Sequence, residues 1–261
     1  MEEDMVLIER HGATAVLTIN RPKTLNALNT PCLIALESAF GEVEADDSVH
    51  VIVITGAGEK AFVAGGDIAD LNSRQALQHY VELAELLHRV FRRIERSDKV
   101  TIAAVNGWAL GGGTELLLAT DIRLVADRAR LGLPEINLGL FPGAGGTQRI
   151  IRQIPLCRAK ELMFTGDQID AATAVDLGLC NRVIPAVELM QETLALAERI
   201  GKKSPLILKL LKRTLRDGAE MPPAAALAYE QAMVSLTYNS RDAHEGCAAF
   251  LEKRVATFDG T

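Results

Sequence analysis

The sequence predicts an α/β core that is followed by a helical C-terminal region. In the first half of the chain, short segments rich in valine and isoleucine alternate with amphipathic segments, as strands alternate with helices in α/β domains. From about Pro155 onward the strand-like segments fade, and alanine- and leucine-rich segments with helical spacing replace them. Because no low-complexity linker or short-period repeat separates the two parts, we expect a core over residues 1–200 and a helical extension over residues 201–261.

Five segments of the first half have the composition of buried strands. Each is short and dominated by β-branched residues, which suit a pleated backbone. They span residues 6–9, 13–19, 49–55, 100–105 and 121–126. Between them, Thr30 followed by Pro31 marks a helix start, since a capping residue and a proline at the first helical position both favour one. A second amphipathic helix is expected over residues 77–94.

Further helices are expected after Pro155, where apolar residues recur at helical spacing. They span residues 157–164, 171–177, 187–200, 205–215, 223–238 and 241–256. In the last of them, Asp242 and Glu245 lie in the first turn, while Lys253 and Arg254 lie near the end. The helix dipole favours this order of charges.

Composition excludes several classes of protein. The 261 residues are 48% hydrophobic, enough for a substantial core. The formal charge of −6 argues against a protein devoted to nucleic acid. The histidines are scattered and share no recognisable motif with a serine or cysteine, which disfavours a Ser-His-Asp triad. Neither a zinc site nor a disulfide framework is indicated, and we expect reduced, buried thiols, because the cysteines stand far apart at Cys32, Cys157, Cys180 and Cys247.

The sequence also bears on location. Its apolar stretches are interrupted by charges well before the ~20 residues that a membrane-spanning helix requires. The first residues, Met1 to Asp4, are acidic rather than arginine-rich, unlike a secretory signal or a mitochondrial presequence. We therefore expect a cytoplasmic protein that does not enter a membrane.

Two carboxylates beside glycine-rich turns are the main candidates for chemistry. Glu115 follows Gly111-Gly112-Gly113, and Glu135 lies in Leu133-Pro134-Glu135-Ile136. Adding or removing water requires a base and an acid, and two carboxylates with separated pKa values can fill both roles. The leucines that follow Glu115 indicate burial, which would raise the pKa of its carboxyl group. A buried carboxylate of this kind usually has a partner or a function.

Three glycine clusters could supply backbone donors to such a site. They are Gly65-Gly66, Gly111 to Gly113 after a predicted buried strand, and Gly143 to Gly146 before a short helix. Taken alone, the first and third clusters are better explained as a turn or a helix cap. The second could also be a phosphate-binding loop, although neither the Walker pattern nor the dinucleotide fingerprint is present.

Together these segments resemble the crotonase superfamily, and within it the enoyl-CoA hydratases. The resemblance extends over nearly the whole chain, and the order and spacing of the motifs make it specific. The matching motifs are Asn20-Arg21-Pro22, 26–28, 61–68, 104–115, Pro134-Glu135, 142–149, 164–166, Ala174, 178–179, 245–246 and 250–254. The resemblance implies a crotonase-like spiral of ββα units with a helical C-terminal trimerisation region, assembled as a homotrimer or homohexamer. It also implies an acyl-CoA substrate and no separate cofactor or metal.

The resemblance assigns catalytic roles to five residues. The N–H groups of Gly66 and Gly112 match the oxyanion hole for the thioester carbonyl. Glu115 and Glu135 match the two hydratase glutamates, with Glu135 as the acid and Glu115 as the base in hydration. The Gly143 N–H matches the group that helps to hold the water. The implied reaction is the reversible addition of water across the 2,3 double bond of a 2-enoyl-CoA.

The resemblance also implies which residues bind coenzyme A. Ala64 and Ile68 match positions around the adenine, and Lys253 of a neighbouring subunit matches one that approaches a CoA phosphate. Family members often carry alanine where this chain has Gly66, a change that keeps the backbone donor. The full implied set is Ala64, Gly66, Asp67, Ile68, Gly112 and Lys253.

Two alternative functions remain open at this point. One is a specialised hydratase, for example for methylglutaconyl-CoA, or an enoyl-CoA isomerase, although isomerases often keep only the later glutamate. The other is a hydratase that also binds RNA through a basic face, for which an ordinary solvated helix face is the favoured explanation. That basic face comprises Lys202, Lys203, Lys209, Lys212, Arg213 and Arg216. Trp108, the single tryptophan, is expected to pack in the core.

Overall fold

Two sheets organise the protein in the computed structural model, which describes residues 4–74 and 76–261. The expectation about an N-terminal leader is based on Met1 to Asp4, and residues 1–3 of these lie outside the described residues. The larger sheet has the strand order β1-β2-β3-β5-β7-β10, and the smaller one has the order β4-β6-β8-β9. The strands are β1 Val6–His11, β2 Thr14–Ile19, β3 Val51–Gly56, β4 Ala61–Val63, β5 Val100–Val105, β6 Trp108–Leu110, β7 Ile122–Ala126, β8 Arg130–Gly132, β9 Ile169–Asp170 and β10 Arg182–Ile184.

The helices follow the sequence pattern closely. The first of them begins where the Thr30-Pro31 signal predicts, but its cap is Asn29, whose side chain accepts from the Cys32 N–H, and Thr30 is the first helical residue. The helices are α1 Thr30–Ala45, α2 Ile68–Asn72, α3 Ala76–His79, α4 Glu85–Arg96, α5 Gly112–Leu118, α6 Gly146–Ile150, α7 Leu156–Thr165, α8 Ala171–Asp176, α9 Leu189–Gly201, α10 Pro205–Gly218, α11 Pro223–Tyr238 and α12 Arg241–Leu251. A π-helical turn, Tyr80–Ala84, and a 3₁₀ helix, Pro134–Leu138, add to these.

A repeated strand pair explains the architecture. Three times in succession, a strand of the larger sheet is followed by a short strand of the smaller one: β3 and β4, β5 and β6, β7 and β8. Strands β3, β5 and β7 pair in parallel, as do β4, β6 and β8, so the repeats stack in the same direction. Both β3 and β5 are buried along their whole length, which explains their continuous runs of apolar residues.

Helix α5 is fixed at both ends. A Cβ atom on Gly113 would overlap the carbonyl oxygen of Val63 in β4, so only glycine allows the helix to approach this close. At the other end, the buried guanidinium of Arg123 donates to the carbonyl oxygens of Leu117, at 2.7 Å, and Thr120, at 2.9 Å. A cation at the C-terminal end of a helix satisfies carbonyl groups that have no partner within the helix.

Several sequence expectations are wrong in detail. Strands do not end with the first half, because β9 and β10 follow Pro155 and are too short, at two and three residues, to give a composition signal. The last helix ends at Leu251 rather than near 256, and Lys253 beyond it has a left-handed backbone, with φ of +57°. Trp108 is 42% exposed rather than packed in the core, since its strand lies at a sheet surface.

The cysteines divide into two pairs by exposure. Within the described chain all four are free, as expected of reduced thiols, and Cys32 and Cys180 are buried. Burial raises the pKa of the Cys32 thiol to about 11 and that of Cys180 to about 12. The expectation of burial is wrong for Cys157 and Cys247, which are exposed.

We expect Gly113→Ala to destabilise the protein, because the added methyl group must displace helix α5 or strand β4. Overpacking of this kind costs about 1–3 kcal/mol or more in the free energy of unfolding. Gly218→Ala in α10 is the matched control, since its Cβ would have only an ordinary contact, 3.9 Å from the Ala226 Cβ. Thermal unfolding of both variants checks this expectation, and an equal melting temperature in the two would contradict it.

Candidate active site

The second sheet brings together residues that are far apart in sequence. Gly66, Gly112 and Glu135 follow the carboxyl ends of three neighbouring strands, β4, β6 and β8. The carboxyl ends of parallel strands meet at one edge of a sheet, where α/β proteins commonly bind ligands. Here they line a cavity of about 370 Å³ together with Glu115 and Gly143. The apolar part of its wall consists of Leu28, Leu71, Leu83, Leu87, Leu140 and Phe141.

Two backbone N–H groups are available in this cavity. The peptide groups on either side of Gly66 form hydrogen bonds with Leu28. The Leu28 N–H donates to the Gly65 carbonyl oxygen, and the Asp67 N–H donates to the Leu28 carbonyl oxygen, both at 2.8 Å. Gly112 is the first residue of α5, and a Cβ built on it would lie 3.6 Å from the Gly66 nitrogen. Within the described residues, neither Gly66 nor Gly112 donates its N–H to a protein acceptor. The two groups can therefore serve one oxygen atom of a bound molecule.

Glu115 is a buried carboxylate that accepts two backbone hydrogen bonds. Its side chain lies in the first turn of α5, and the residue is 3% exposed. The N–H groups of Ala144, at 2.7 Å, and Gly146, at 2.8 Å, both donate to its Oε1. Burial raises the pKa of Glu115, while these hydrogen bonds and the charge of Arg149 act in the opposite direction. The hydrogen bonds favour the ionised form, which is the form that can accept a proton.

Glu135 has a different environment. It lies in the 3₁₀ helix Pro134–Leu138, and its Oε2 is buried with no hydrogen-bond partner among the described residues. Burial is the main cause that raises its pKa from the ordinary 4.5 to about 7, and the nearby Glu115 adds to the increase. At neutral pH a large fraction of Glu135 is therefore protonated and can donate a proton. The cavity thus contains two carboxyl groups with raised pKa values, and for Glu115 two backbone hydrogen bonds oppose the increase.

The loop that contains Gly143 also binds the carboxylate of Glu115. Gly143 lines the cavity, as expected, but the two N–H groups that bind Glu115 belong to Ala144 and Gly146. A Cβ on Gly146 would lie 2.8 Å from Glu115 Cγ, so a side chain there would push the carboxylate away. The third glycine cluster was the sequence signal for these contacts, although it did not identify which amides donate.

Of the residues expected around coenzyme A, Gly66 and Gly112 line the cavity, whereas Ala64, Asp67 and Ile68 do not. Ala64 donates its N–H to the Leu25 carbonyl oxygen, and Asp67 caps α2 and pairs with Arg21 at 3.0 Å. Ile68 begins α2 and is 54% exposed, as a surface that contacts a ligand would be. Lys253 lies beyond the end of α12 and does not line this cavity.

Sequence reasoning missed one cationic residue of the cavity wall. Arg74 follows α2, and its side chain is 9% exposed. Its guanidinium pairs with Asp70 at 2.7 Å and donates to the Thr30 hydroxyl oxygen at 2.7 Å. These contacts tie α2 to the start of α1. No motif in the sequence surrounds Arg74, so nothing there indicated its position.

The basic face of the C-terminal region is largely neutralised by acidic side chains. Lys209 and Arg213 both pair with Asp98, at 3.1 and 2.7 Å, and the 8% exposed Lys212 side chain pairs with Asp121 at 2.7 Å. The remaining pairs of this face are Lys202 with Glu198 and Arg216 with Asp217. Charges held in such pairs are poorly placed to bind phosphates along a nucleic acid.

Among residues 4–74 and 76–261, no three histidine, cysteine, aspartate or glutamate side chains are arranged to hold a metal ion. In the same part of the chain, no helix is both long enough and apolar enough to cross a membrane.

Comparisons with known proteins show the family and the fold of the chain. The model of the enoyl-CoA hydratase/isomerase family matches residues 9–261. A short-chain-enoyl-CoA hydratase from Clostridium acetobutylicum is 41% identical over 97% of each chain, and a crotonyl-CoA hydratase from Syntrophomonas wolfei is 42% identical over 99% of each. The crystal structure of an enoyl-CoA hydratase from Bacillus anthracis matches with a TM-score of 0.95 at 34% identity, covering 98% of this chain and 100% of that one.

The raised pKa of Glu135 has a consequence for stability. Below pH 4.5 the carboxyl group is neutral in both folded and unfolded chains and costs nothing. As the pH rises from 4.5 to about 7 the unfolded chain ionises more readily than the folded one, so stability is lost over this range. Glu135→Gln removes this penalty and should raise the melting temperature by a few degrees at pH 8 and little at pH 4.5.

The matched control for that measurement is Glu188→Gln. Glu188 is exposed and forms no ion pair among the described residues, so its substitution should give no gain that depends on pH. Scanning calorimetry of both variants at the two pH values checks the expectation. A gain for Glu135→Gln that is the same at pH 4.5 and pH 8 would contradict it.

Proposed function

Because the chain belongs to the enoyl-CoA hydratase/isomerase family and is an enoyl-CoA hydratase, we propose that Glu115 and Glu135 carry out the hydration. The crotonase-like fold expected from the sequence is confirmed by the matching crystal structures. The observation that carries the proposal is the convergence of two carboxylates and two unengaged N–H groups on one cavity. This is the set of groups that adding water to a conjugated thioester requires.

The first step of the proposed mechanism uses the backbone. The thioester carbonyl oxygen accepts hydrogen bonds from the N–H groups of Gly66 and Gly112. When water attacks the β-carbon, the electrons of the double bond move toward this oxygen and give an enolate. Donors already oriented toward the developing charge stabilise it by roughly 3–4 kcal/mol each, because they need no reorganisation.

The second part of the mechanism uses the carboxylates. Ionised Glu115 removes a proton from the water as its oxygen bonds to the β-carbon, and the Gly143 N–H helps to hold that water. Protonated Glu135 then gives its proton to the α-carbon, and the enolate returns to a thioester. Dehydration reverses the two roles. Because the two groups interact, the pair titrates together, and the roles describe the dominant protonation state.

We further propose that the acyl group is short and aliphatic. The wall beyond the carboxylates is formed by leucine and phenylalanine side chains, which favour an apolar chain. The relatives named as short-chain-enoyl-CoA and crotonyl-CoA hydratases support the same substrate class. Coenzyme A itself would lie along Ala64, Asp67 and Ile68, which flank the cavity residue Gly66 in the chain, and no other cofactor takes part in the proposed reaction.

The assembly and location of the enzyme are also proposals. The helices of the C-terminal region, 201–261, expose large apolar side chains, as surfaces that meet another subunit do. They include Leu211, Leu215, Leu227, Leu236, Phe250 and Leu251. We propose that they form a homotrimer or homohexamer in the cytoplasm, in which Lys253 of one subunit approaches the CoA phosphate bound by another.

Hydration of crotonyl-CoA tests the proposed roles. The absorbance of the conjugated enoyl thioester should disappear rapidly near neutral pH with the wild type. Glu115→Gln and Glu135→Gln should each lower kcat by about 10²–10⁴, the usual contribution of general acid or base catalysis. Glu188→Gln, the same chemical change on the surface, should leave kcat unaltered. A double variant of Glu115 and Glu135 that retained turnover would overturn the mechanism.

Substrate comparison separates the proposed hydratase from its alternatives. We expect kcat/KM to be highest for crotonyl-CoA and to fall for longer 2-enoyl-CoA substrates, since the cavity offers a limited volume. Preferential turnover of 3-methylglutaconyl-CoA would indicate a specialised hydratase, and preferential conversion of a 3-enoyl-CoA would indicate an isomerase. RNA binding that falls with salt and with reversal of Lys203 and Lys209 would support the nucleic-acid alternative.

A further inference from the structure

We propose that Glu95 and Arg149 are positioning residues, which hold the loop 143–146 so that its amides bind Glu115. The inference rests on the proposed function, because it assumes that Glu115 is the catalytic base. Neither Glu95 nor Arg149 lines the cavity. Glu95 and Arg149 would therefore act on the position of the Glu115 carboxylate through the backbone of the loop 143–146.

The first contact in this arrangement joins Arg149 to the loop. Arg149 lies on α6, the short helix that begins where the loop ends. Its Nη1 donates to the Ala144 carbonyl oxygen at 2.9 Å. The N–H of the same residue, Ala144, donates to Glu115 at 2.7 Å. A change in the position of the guanidinium therefore moves a residue that is in direct contact with the carboxylate.

The second contact fixes the guanidinium itself. Arg149 Nε and Nη2 each donate to one carboxylate oxygen of Glu95, both at 2.9 Å. Such a two-point pair sets the plane of the guanidinium as well as its position. Glu95 lies on α4, which follows the first of the three strand pairs, whereas the loop follows the third, so the loop is held against a separate part of the core. The Arg149 side chain is 12% exposed, and solvent screens this pair less than an ordinary surface pair.

Gly145 lies directly against the Arg149 guanidinium. This residue has φ of +100°, a conformation that favours glycine. A Cβ on Gly145 would overlap Arg149 Nη1, so the loop has no room for a side chain where the arginine lies. The adjacent Gly146 is similarly constrained by Glu115. The two glycines thus fit the loop between an arginine on one side and a carboxylate on the other.

Several charged groups surround the loop and bear on any pH dependence. Glu135 faces Glu115 from the 3₁₀ helix, and Arg149 faces it from α6. Helix α4 contributes Glu95, paired with Arg149, and His88, which is near the Gly143 carbonyl and the charges of Arg149 and Arg92. Burial lowers the pKa of His88, and these cations lower it further.

Kinetics of Arg149→Met, Arg149→Lys and Glu95→Gln test the proposal. Arg149→Met should lower kcat for crotonyl-CoA by about 10–100-fold, as misplacement of catalytic groups does, with KM changed less than about threefold. The acidic limb of the pH profile should move to higher pH, because Glu115 loses a nearby cation and a well-oriented donor. Arg149→Lys keeps the charge without the two-point pair and should recover part of kcat, while Glu95→Gln should lower it by about three- to tenfold.

Arg152→Met is the matched control. Arg152 lies two residues beyond the end of α6, is 55% exposed, pairs with Glu220 at 3.4 Å and donates to the Gln148 carbonyl oxygen at 2.7 Å, without contacting Glu95 or Glu115 among the described residues, so its loss should change neither kcat nor the pH profile. If Arg149→Met folds poorly, Glu95→Gln still decides the matter: an unchanged kcat and pH profile in that variant would overturn the proposal. If Glu115→Gln were fully active, the proposed function would fail instead. Loss of activity in Glu115→Gln with full activity in Arg149→Met would reject the positioning role alone.

Discussion

The placement of helix α5 against strands β4 and β6 of the smaller sheet is the constraint on which the active site depends. Gly113 lets the helix contact β4 without an intervening side chain, and Arg123 satisfies the carbonyl groups at its other end. Its first turn therefore presents the Gly112 N–H and the Glu115 carboxylate at fixed positions relative to Gly66. A buried arginine without a close carboxylate is costly, and here several carbonyl dipoles provide the compensation. The core contacts that hold helix α5 in place thus also fix the geometry of the site.

The carboxyl groups of Glu115 and Glu135 share one cavity but differ in their hydrogen bonds. Glu115 is the more deeply buried, yet backbone N–H groups favour its charged form, whereas Glu135 has a buried oxygen without a partner. Burial alone would raise both pKa values. For Glu115 the two backbone hydrogen bonds and the charge of Arg149 oppose this increase, whereas for Glu135 the charge of Glu115 adds to it. The acid and base roles proposed for the two glutamates thus follow from the backbone groups around each carboxyl group.

Much of this could be predicted from the sequence, and the omissions have physical causes. Long apolar strands and capped helices have strong local signals, and both glutamates were recognised beside their glycines. The short strands β4, β6 and β8 have weak signals because two or three residues carry little periodicity. Contacts such as Arg149 with Glu95, or Arg74 with Asp70 and Thr30, depend on how separate elements meet. The exposure of Trp108 likewise follows from packing rather than from residue type.

The alternation of strands between two sheets has a consequence for how such enzymes diversify. The reacting groups follow β4, β6 and β8 or lie at the start of α5, whereas most of the apolar wall comes from α2, the segment before α4 and the stretch around Phe141. Substitutions or insertions in those wall segments would reshape the acyl pocket while the strand ends keep their register. Chemistry and substrate preference are encoded in separable parts of the chain, so a lineage can change its substrate without rebuilding its catalyst.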